Sequence, residues 1–149
     1  VASIGKWNTP SATVSVLTTQ LDGLADNAAT AASTAIANQT NLDIYSDWEL
    51  VLGSLSPAAG AYVAVYALLA VDGSNYPAPS AADMRLQTSQ LLFTIPLSTT
   101  ATTAQRIAVR NVVIPPGTFK IILDNHAGVA LAANSNTLKM NPYDVNLNG

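Results

Sequence analysis

Between residues 42 and 52 the side chains alternate in character. Leu42, Ile44, Trp48, Leu50 and Leu52 fall on one parity, and Asp43, Tyr45, Asp47 and Glu49 on the other. A period of two belongs to a β-strand with one dry and one wet face, because successive Cβ atoms point to opposite sides. A Ser-Pro-Ala-Ala-Gly corner at residues 56–60 follows. The run Tyr62 to Val71 is then apolar on both parities, with Val63, Val65, Leu69 and Val71 against Tyr62, Tyr66 and Leu68. A strand dry on both faces belongs in the middle of a sheet with its outer face covered. One half-wet strand and one fully dry strand, joined by a tight corner, require a layered β fold.

The rest of the chain supplies further strands. Thr13–Thr19 reads as a first strand and Ser33–Ala37 as a short one. Between them Gln20–Ala32 fits a short helix or an irregular loop, since Leu21 and Leu24 have helical spacing while Gly23 and Asn27 interrupt it. Asp72-Gly73-Ser74-Asn75 is a hairpin-like turn, and Pro77–Asp83 a Pro/Ala/Ser loop. Leu91–Leu97 is a strand in which Pro96 marks an edge or an end. Ser98–Thr103 is a polar turn, and Arg106–Ile114 a β-branched strand. Pro115-Pro116-Gly117 turns the chain into Phe119–Leu123. Asp124–Gly128 reads as another turn, before short strands at Val129–Ala132 and Thr137–Met140. About eight strands with a turn every 8–12 residues or so are the mark of an all-β sandwich or barrel. There is also an internal echo. Trp48–Leu52, Pro57, Gly60 and Tyr62 are matched by Ile107–Ile114, Pro116, Gly117 and Phe119, each a strand, a Pro/Gly corner and an aromatic-led strand. Two such units fit a jelly roll. The expected organisation is an extended N-terminal arm over residues 1–11, a jelly-roll-like antiparallel β-sandwich over 12–140 and a polar C-terminal tail over 141–149.

Composition narrows the function. The 149 residues are 49% apolar and only 10% charged, against roughly 25% charged in ordinary globular proteins. A lone monomer relies on charge to stay apart from its neighbours. So little charge points to a surface covered by other chains, or to one that is polar through Ser, Thr and Asn. The net charge is −3, and the cations Lys6, Arg85, Arg106, Arg110, Lys120 and Lys139 form no basic run. Electrostatic capture of nucleic acid or of an anionic membrane is not expected. The absence of cysteine removes disulfides, thiolate metal sites and cysteine nucleophiles. Val1–Lys6 lacks the charged and apolar sequence of a signal peptide. The run Ala58–Val71 is too short for a membrane-spanning helix. A soluble protein made in the cytoplasm is the expectation.

The inventory for chemistry is thin. The single histidine, His126, lies in a stretch rich in Asn and Gly with Asp124 two residues away, and no Gly-x-Ser-x-Gly elbow occurs. A triad needs a base held by an acid and aimed at a nucleophile, and a turn does not hold that geometry. Asp43, Asp47 and Glu49 share a strand parity with Tyr45 among them. Paired carboxylates serve glycoside hydrolysis or calcium binding, but a row of charges on a strand also discourages edge pairing. Asp72–Asn75 begins like a calcium loop without its alternating acids or distal Glu. No nucleotide or zinc-protease motif is present. No enzyme activity, cofactor or metal is expected. Trp48 sits on the core parity with Leu50 and Leu52. Trp7, in the polar arm, suits a partner's groove, since large aromatics carry much interface energy.

From Asn41 onward the chain resembles small virion proteins of tailed bacteriophages. The likeness rests on Asn41–Leu52 (NLDIYSDWELVL), Pro57–Val63 (PAAGAYV), Val71–Pro77 (VDGSNYP), Pro115–Lys120 (PPGTFK), Gly128–Ala133 (GVALAA) and Asn136–Met140 (NTLKM). Residues 1–40 match less well. The resemblance implies a jelly-roll-like sandwich acting as a head decoration, or cement, protein on the capsid surface. Its partners would be the major capsid protein and further copies of itself, as a dimer or trimer. Trp7 in the arm, Tyr62 and Tyr66 on the two-sided strand and Tyr143 in the tail are the candidate interface residues. The alternatives are a tail or fibre component of the virion and a carbohydrate-binding adhesin module, with a hydrolase last.

Overall fold

The computed structural model describes residues 6–77, 91–99 and 103–146. Val1–Gly5 of the arm, 78–83 of the Pro/Ala/Ser loop, Arg85, 100–102 of the polar turn and 147–149 of the tail lie outside the described residues. The strands are β1 (Lys6–Trp7), β2 (Val14–Leu17), β3 (Ala28–Ala29), β4 (Ile36–Ala37), β5 (Tyr45–Leu52), β6 (Tyr62–Leu69), β7 (Leu91–Pro96), β8 (Gln105–Val113), β9 (Thr118–His126), β10 (Thr137–Tyr143) and β11 (Val145–Asn146). One sheet runs β2-β10-β5-β8. The other runs β3-β9-β6-β7, with β4 also on β9, and β1 and β11 form a separate two-stranded ribbon. Every pairing is antiparallel. Because β3 and β4 share one strand position along β9, the sandwich has four positions in each sheet. The order in each sheet is that of a jelly roll.

The internal echo is the geometric key. β5 and β8 pair in the first sheet, while β6 and β9 pair in the second. The corners at Pro57 and Pro116 carry both chains from one sheet to the other side by side, which is how a doubled hairpin wraps into a jelly roll. Between the sheets lie Trp48, Leu50 and Leu52 of β5 and Leu138 and Met140 of β10. They face Val63 and Val65 of β6 and Phe119, Ile121 and Leu123 of β9, all buried. Trp48 meets Phe93 across the layers at 5.3 Å between ring centroids, and its indole N–H donates to Ser46 Oγ at 2.7 Å. That bond satisfies a polar atom that burial would otherwise penalise.

The outer face of β6 is covered by the chain itself. Ala64, Tyr66, Leu68 and Ile122 form a second apolar cluster, and Ala29, Ala32 and Tyr76 pack against it. The covering segment runs along β9 as an interrupted strand. Thr30 N–H and Ser33 N–H donate to the carbonyls of Leu123 and Ile121, both at 2.9 Å. In return the N–H groups of Leu123 and Ile121 donate to Thr30 Oγ1 at 3.1 Å and Ser33 Oγ at 2.9 Å. Two hydroxyls thus replace main-chain acceptors where the strand departs from the ladder.

Several boundaries differ from the sequence reading. The open stretch after β2 is one 3-10 turn, Thr19–Leu21, followed by loop and β3. Asp124–His126 completes β9 instead of forming a turn. The segment Val129–Ala132 is no strand, because its main-chain groups go elsewhere. Leu131 N–H donates to Leu24 O, Gly23 N–H to Ala132 O, and the Asn125 amide to Val129 O. The tail expected from residue 141 is ordered pairing as far as 146, since Asn141–Tyr143 finish β10 and β11 holds β1. Leu42 and Ile44 keep the dry parity but are exposed. The strand begins only at Tyr45, and Leu42 takes a left-handed φ of 53°.

Candidate functional site

The outer face of the four-stranded sheet gathers the chain's polar chemistry. The wet parity of β5 presents Tyr45, Asp47 and Glu49. Across from them β10 presents Tyr143, Asn141 and Lys139, in the register Tyr143↔Tyr45, Asn141↔Asp47 and Lys139↔Glu49. On the other flank β8 pairs Ala108 with Glu49, and the register then shifts between Ser46 and Trp48. The extra residue leaves Arg110 and Asn111 together opposite Asp47, with Asn111 at a left-handed φ of 57°. A bulge of this kind re-aims side chains. Here it turns the Asn111 N–H onto Asp47 Oδ1 at 3.1 Å and its side-chain oxygen onto the Tyr143 hydroxyl, which donates at 2.5 Å.

The terminal ribbon builds one wall. Asn8 N–H and Ser11 N–H donate to the carbonyls of Asp144 and Pro142 at 3.0 and 2.9 Å, so the arm lies along the end of the chain. The Trp7 ring stands edge-on to Tyr143 at 5.3 Å, and Tyr143 stacks on Tyr45 at 5.9 Å. Tyr143 is buried by this arrangement while Trp7 remains 66% exposed. Burial pushes the Tyr143 phenol above the usual tyrosine range, and the neighbouring Asp47 carboxylate adds to the shift. Two adjoining grooves of about 340 and 300 Å³ result, and both are lined by Asp47, Arg110 and Asn141. Glu49 is neutralised by Arg106 at 2.8 Å. Arg110, Lys139 and the Asn141 side chain have no hydrogen-bond or ion-pair partner among the described residues.

The other candidates lie apart from this face. Tyr62 is on the opposite sheet, partly exposed, stacked on His126 at 4.7 Å. Tyr66, four residues along the same face, is only 4% exposed. Its ring belongs to the second apolar cluster, which corrects the expectation that it meets a partner. Tyr143 likewise presents its ring to Trp7 and Tyr45 and not to solvent. Asp43 is off the strand and buried, accepting from Ser11 Oγ at 2.9 Å. Asp47 and Glu49 therefore share a face without it. His126 is held on Nε2 by Asp124 at 2.8 Å and faces Asn27 Oδ1 at 3.2 Å through Nδ1. So β9 does fix an Asp–His pair, on the sheet opposite the carboxylates. Asp72 closes its own turn. The Asn75 backbone N–H, then the Asn75 side chain and the Ser74 N–H, hold its carboxyl down at about 2. Among the described residues no group of three His, Asp or Glu converges on a metal-sized site, and no helix is long and apolar enough to cross a membrane.

Sequence reasoning missed Arg110, Asn111, Lys139 and Asn141. Two signals were present. Asn111 interrupts an otherwise β-branched strand, the place where a bulge belongs. Lys139 and Asn141 alternate with Leu138 and Met140 at strand period.

No protein-family model matches the chain, and no curated protein does. Solved structures with similar architecture include a family 35 carbohydrate-binding module from an environmental isolate (12% identity, TM-score 0.43, covering 95% of this chain and 90% of that one). Another is the infectious bursal disease virus Gx strain (12% identity, TM-score 0.44, 93% of this chain and 33% of that one). A third is Cocksfoot mottle virus (10% identity, TM-score 0.40, 97% and 96%). The chain spans a third of the bursal disease virus chain it matches. The jelly-roll assignment itself rests on the strand order in the two sheets. The fold hosts many unrelated roles. Strand order defines the chain as a jelly-roll β-sandwich with a polar groove on the outer face of its four-stranded sheet.

Proposed function

We propose that the chain is a structural virion protein of the capsid decoration type, which seats on neighbouring major capsid subunits and does no chemistry of its own. The observation that carries this reading is a mostly apolar recess of about 380 Å³ at the end of β6, lined by Leu69, Val71, Asp72, Asn75, Tyr76 and Pro77. Val71 there is 99% exposed, and Leu69 and Leu91 are exposed as well. The chain is only 10% charged. Apolar side chains presented together on a weakly charged surface suit a protein partner. Tyr62, at the other end of β6 and on the opposite parity, is a second, separate exposed aromatic. The resemblance of Asn41–Tyr143 to phage virion proteins names the partner class. Repetition around a shell lets modest contacts hold firmly through multivalency, and closed symmetry favours a dimer or trimer of copies.

The test is copy number in purified particles, with rebinding to stripped particles as the second measure. Many copies per particle are expected, and Leu69→Asp with Val71→Asp should abolish rebinding without unfolding the protein. Absence from particles refutes the reading. A few copies confined to the tail would give the tail or fibre reading instead.

A further inference from the structure

We infer that the groove on the outer face of the four-stranded sheet binds an acidic oligosaccharide, with a carboxylate held by Arg110 and Lys139 and a sugar ring lying on Trp7. This site lies on the other sheet from the β6 recess, so it goes beyond the capsid contact and does not depend on it. Three features of the groove point to that ligand. The first is charge. The face carries Arg106, Arg110 and Lys139 against Asp47 and Glu49, an excess of one positive charge on a chain whose net charge is −3. Arg106 is spent on Glu49, while Arg110 and Lys139 are unpartnered among the described residues. A guanidinium presents a planar fork that takes a carboxylate through two parallel bonds.

The second feature is the indole. Trp7 lines the groove and is two-thirds exposed, yet it is held by the β1–β11 ladder and by its T-shaped contact with Tyr143. A fixed aromatic ring with an open face is a flat apolar support for the C–H face of a sugar ring, and its position is already ordered before binding. The third is the set of planar polar groups beside it. Asn141 has no side-chain partner, and Asp47 uses only Oδ1, for Asn111 N–H and the Tyr143 hydroxyl. Asp47 Oδ2 and the Asn141 amide are free to take hydroxyls as acceptor and donor. The two grooves, about 340 and 300 Å³, fall at the lower end of ligand-site volumes, roughly 300–1,000 Å³. That fits a short oligosaccharide lying along the face.

The experiment uses the whole chain and short uronate-bearing oligosaccharides, each paired with its carboxyl-reduced neutral form, by calorimetry and amide-shift mapping. Acidic forms are expected to bind about tenfold or more tightly than their neutral pairs. Shifts should centre on Arg110, Asn111 and Asn141. Arg110→Ala and Trp7→Ala should each weaken binding about tenfold or more, while Tyr62→Ala, on the opposite sheet, leaves it unchanged. Melting temperatures of the variants keep a folding defect distinct from a lost contact. The inference is overturned if neutral forms bind as well, or if no acidic oligosaccharide binds at about 10 mM. It is also overturned if a poly-glutamate peptide binds with the same dependence on Arg110 and Trp7 while oligosaccharides do not. None of these outcomes touches the particle copy number that tests the capsid role.

Discussion

Asn125→Ala should be among the most destabilising single polar substitutions in this chain. Asn125 is fully buried, and its side-chain amide donates to the carbonyls of Leu24 at 3.0 Å, Ala25 at 3.1 Å and Val129 at 3.0 Å. Its side-chain oxygen accepts from the Ala127 N–H at 2.9 Å. One side chain therefore ties the loop before β3 and the loop after β9 to the end of β9. A net hydrogen bond contributes about 1 kcal/mol, and a buried partner left unpaired costs about 1–3 kcal/mol. Leu24 and Ala25 are near the surface, where water can replace the lost donor, but Ala127 N–H is buried. The expected loss is about 2–4 kcal/mol. For a chain of this size each kcal/mol moves the melting temperature by about 2–4 °C, so the shift is of order 10 °C. Asn125→Asp should cost more, because it keeps the acceptor, removes both donors and sets a carboxylate against three carbonyls. The assay is urea unfolding with the m-value monitored, beside thermal unfolding. Asn41→Ala, at an exposed position, serves as control and should stay within about 0.5 kcal/mol. A loss below about 1 kcal/mol for Asn125→Ala, or a tolerated Asp, would refute the view that this amide holds the loops together.

Other expectations follow from particular contacts. Ser33→Ala removes the acceptor for the buried Ile121 N–H; it should cost about 1–3 kcal/mol and speed hydrogen exchange at Ile121, and an unchanged exchange rate would show that the hydroxyl is dispensable. Gly53→Ala would place a Cβ 2.6 Å from Asn134 O and 2.7 Å from Ala132 Cβ, so unfolding should show a loss of about 1–3 kcal/mol. The Tyr143 phenol is raised in the folded state, so its contribution is full below the ordinary tyrosine value of about 10 and is lost as pH rises through the folded value. Stability should fall above about pH 10, and fall less in Tyr143→Phe. In a carboxyl NMR titration Asp72 should report a midpoint of about 2, moving with the amides of Ser74 and Asn75. A midpoint at the ordinary aspartate value would mean the turn is open in solution.

The architecture was legible where the residue pattern is itself the cause of the structure. Alternation in β5, the two-sided run of β6 and the repeated Pro/Gly corners are direct records of which faces are dry and where the chain changes sheet. That β6 has a covered outer face was legible, but the segment that covers it was not, because Ala29 and Ala32 reach it through Thr30 and Ser33 hydroxyls acting as main-chain substitutes, and no periodicity marks that. Buried Asn38, Asn125 and Asn136 look in sequence like ordinary loop residues. Each binds carbonyls or acids distant along the chain, as Asn136 does with Asp22 at 2.8 Å and Asn38 with Pro115 O at 2.8 Å. The groove was half legible. Asp47 and Glu49 were placed on a wet face correctly, while their cationic neighbours come from β8 and β10, which only the sheet order brings alongside.

A near-atomic reconstruction of purified particles tests the proposed role most directly. The expected result is a regular lattice of copies, each with the recess of Leu69, Val71 and Pro77 against capsid subunits and the Trp7 groove open to solution. Copies confined to the tail, or a lattice in which the four-stranded sheet is the face buried against the shell, would contradict it.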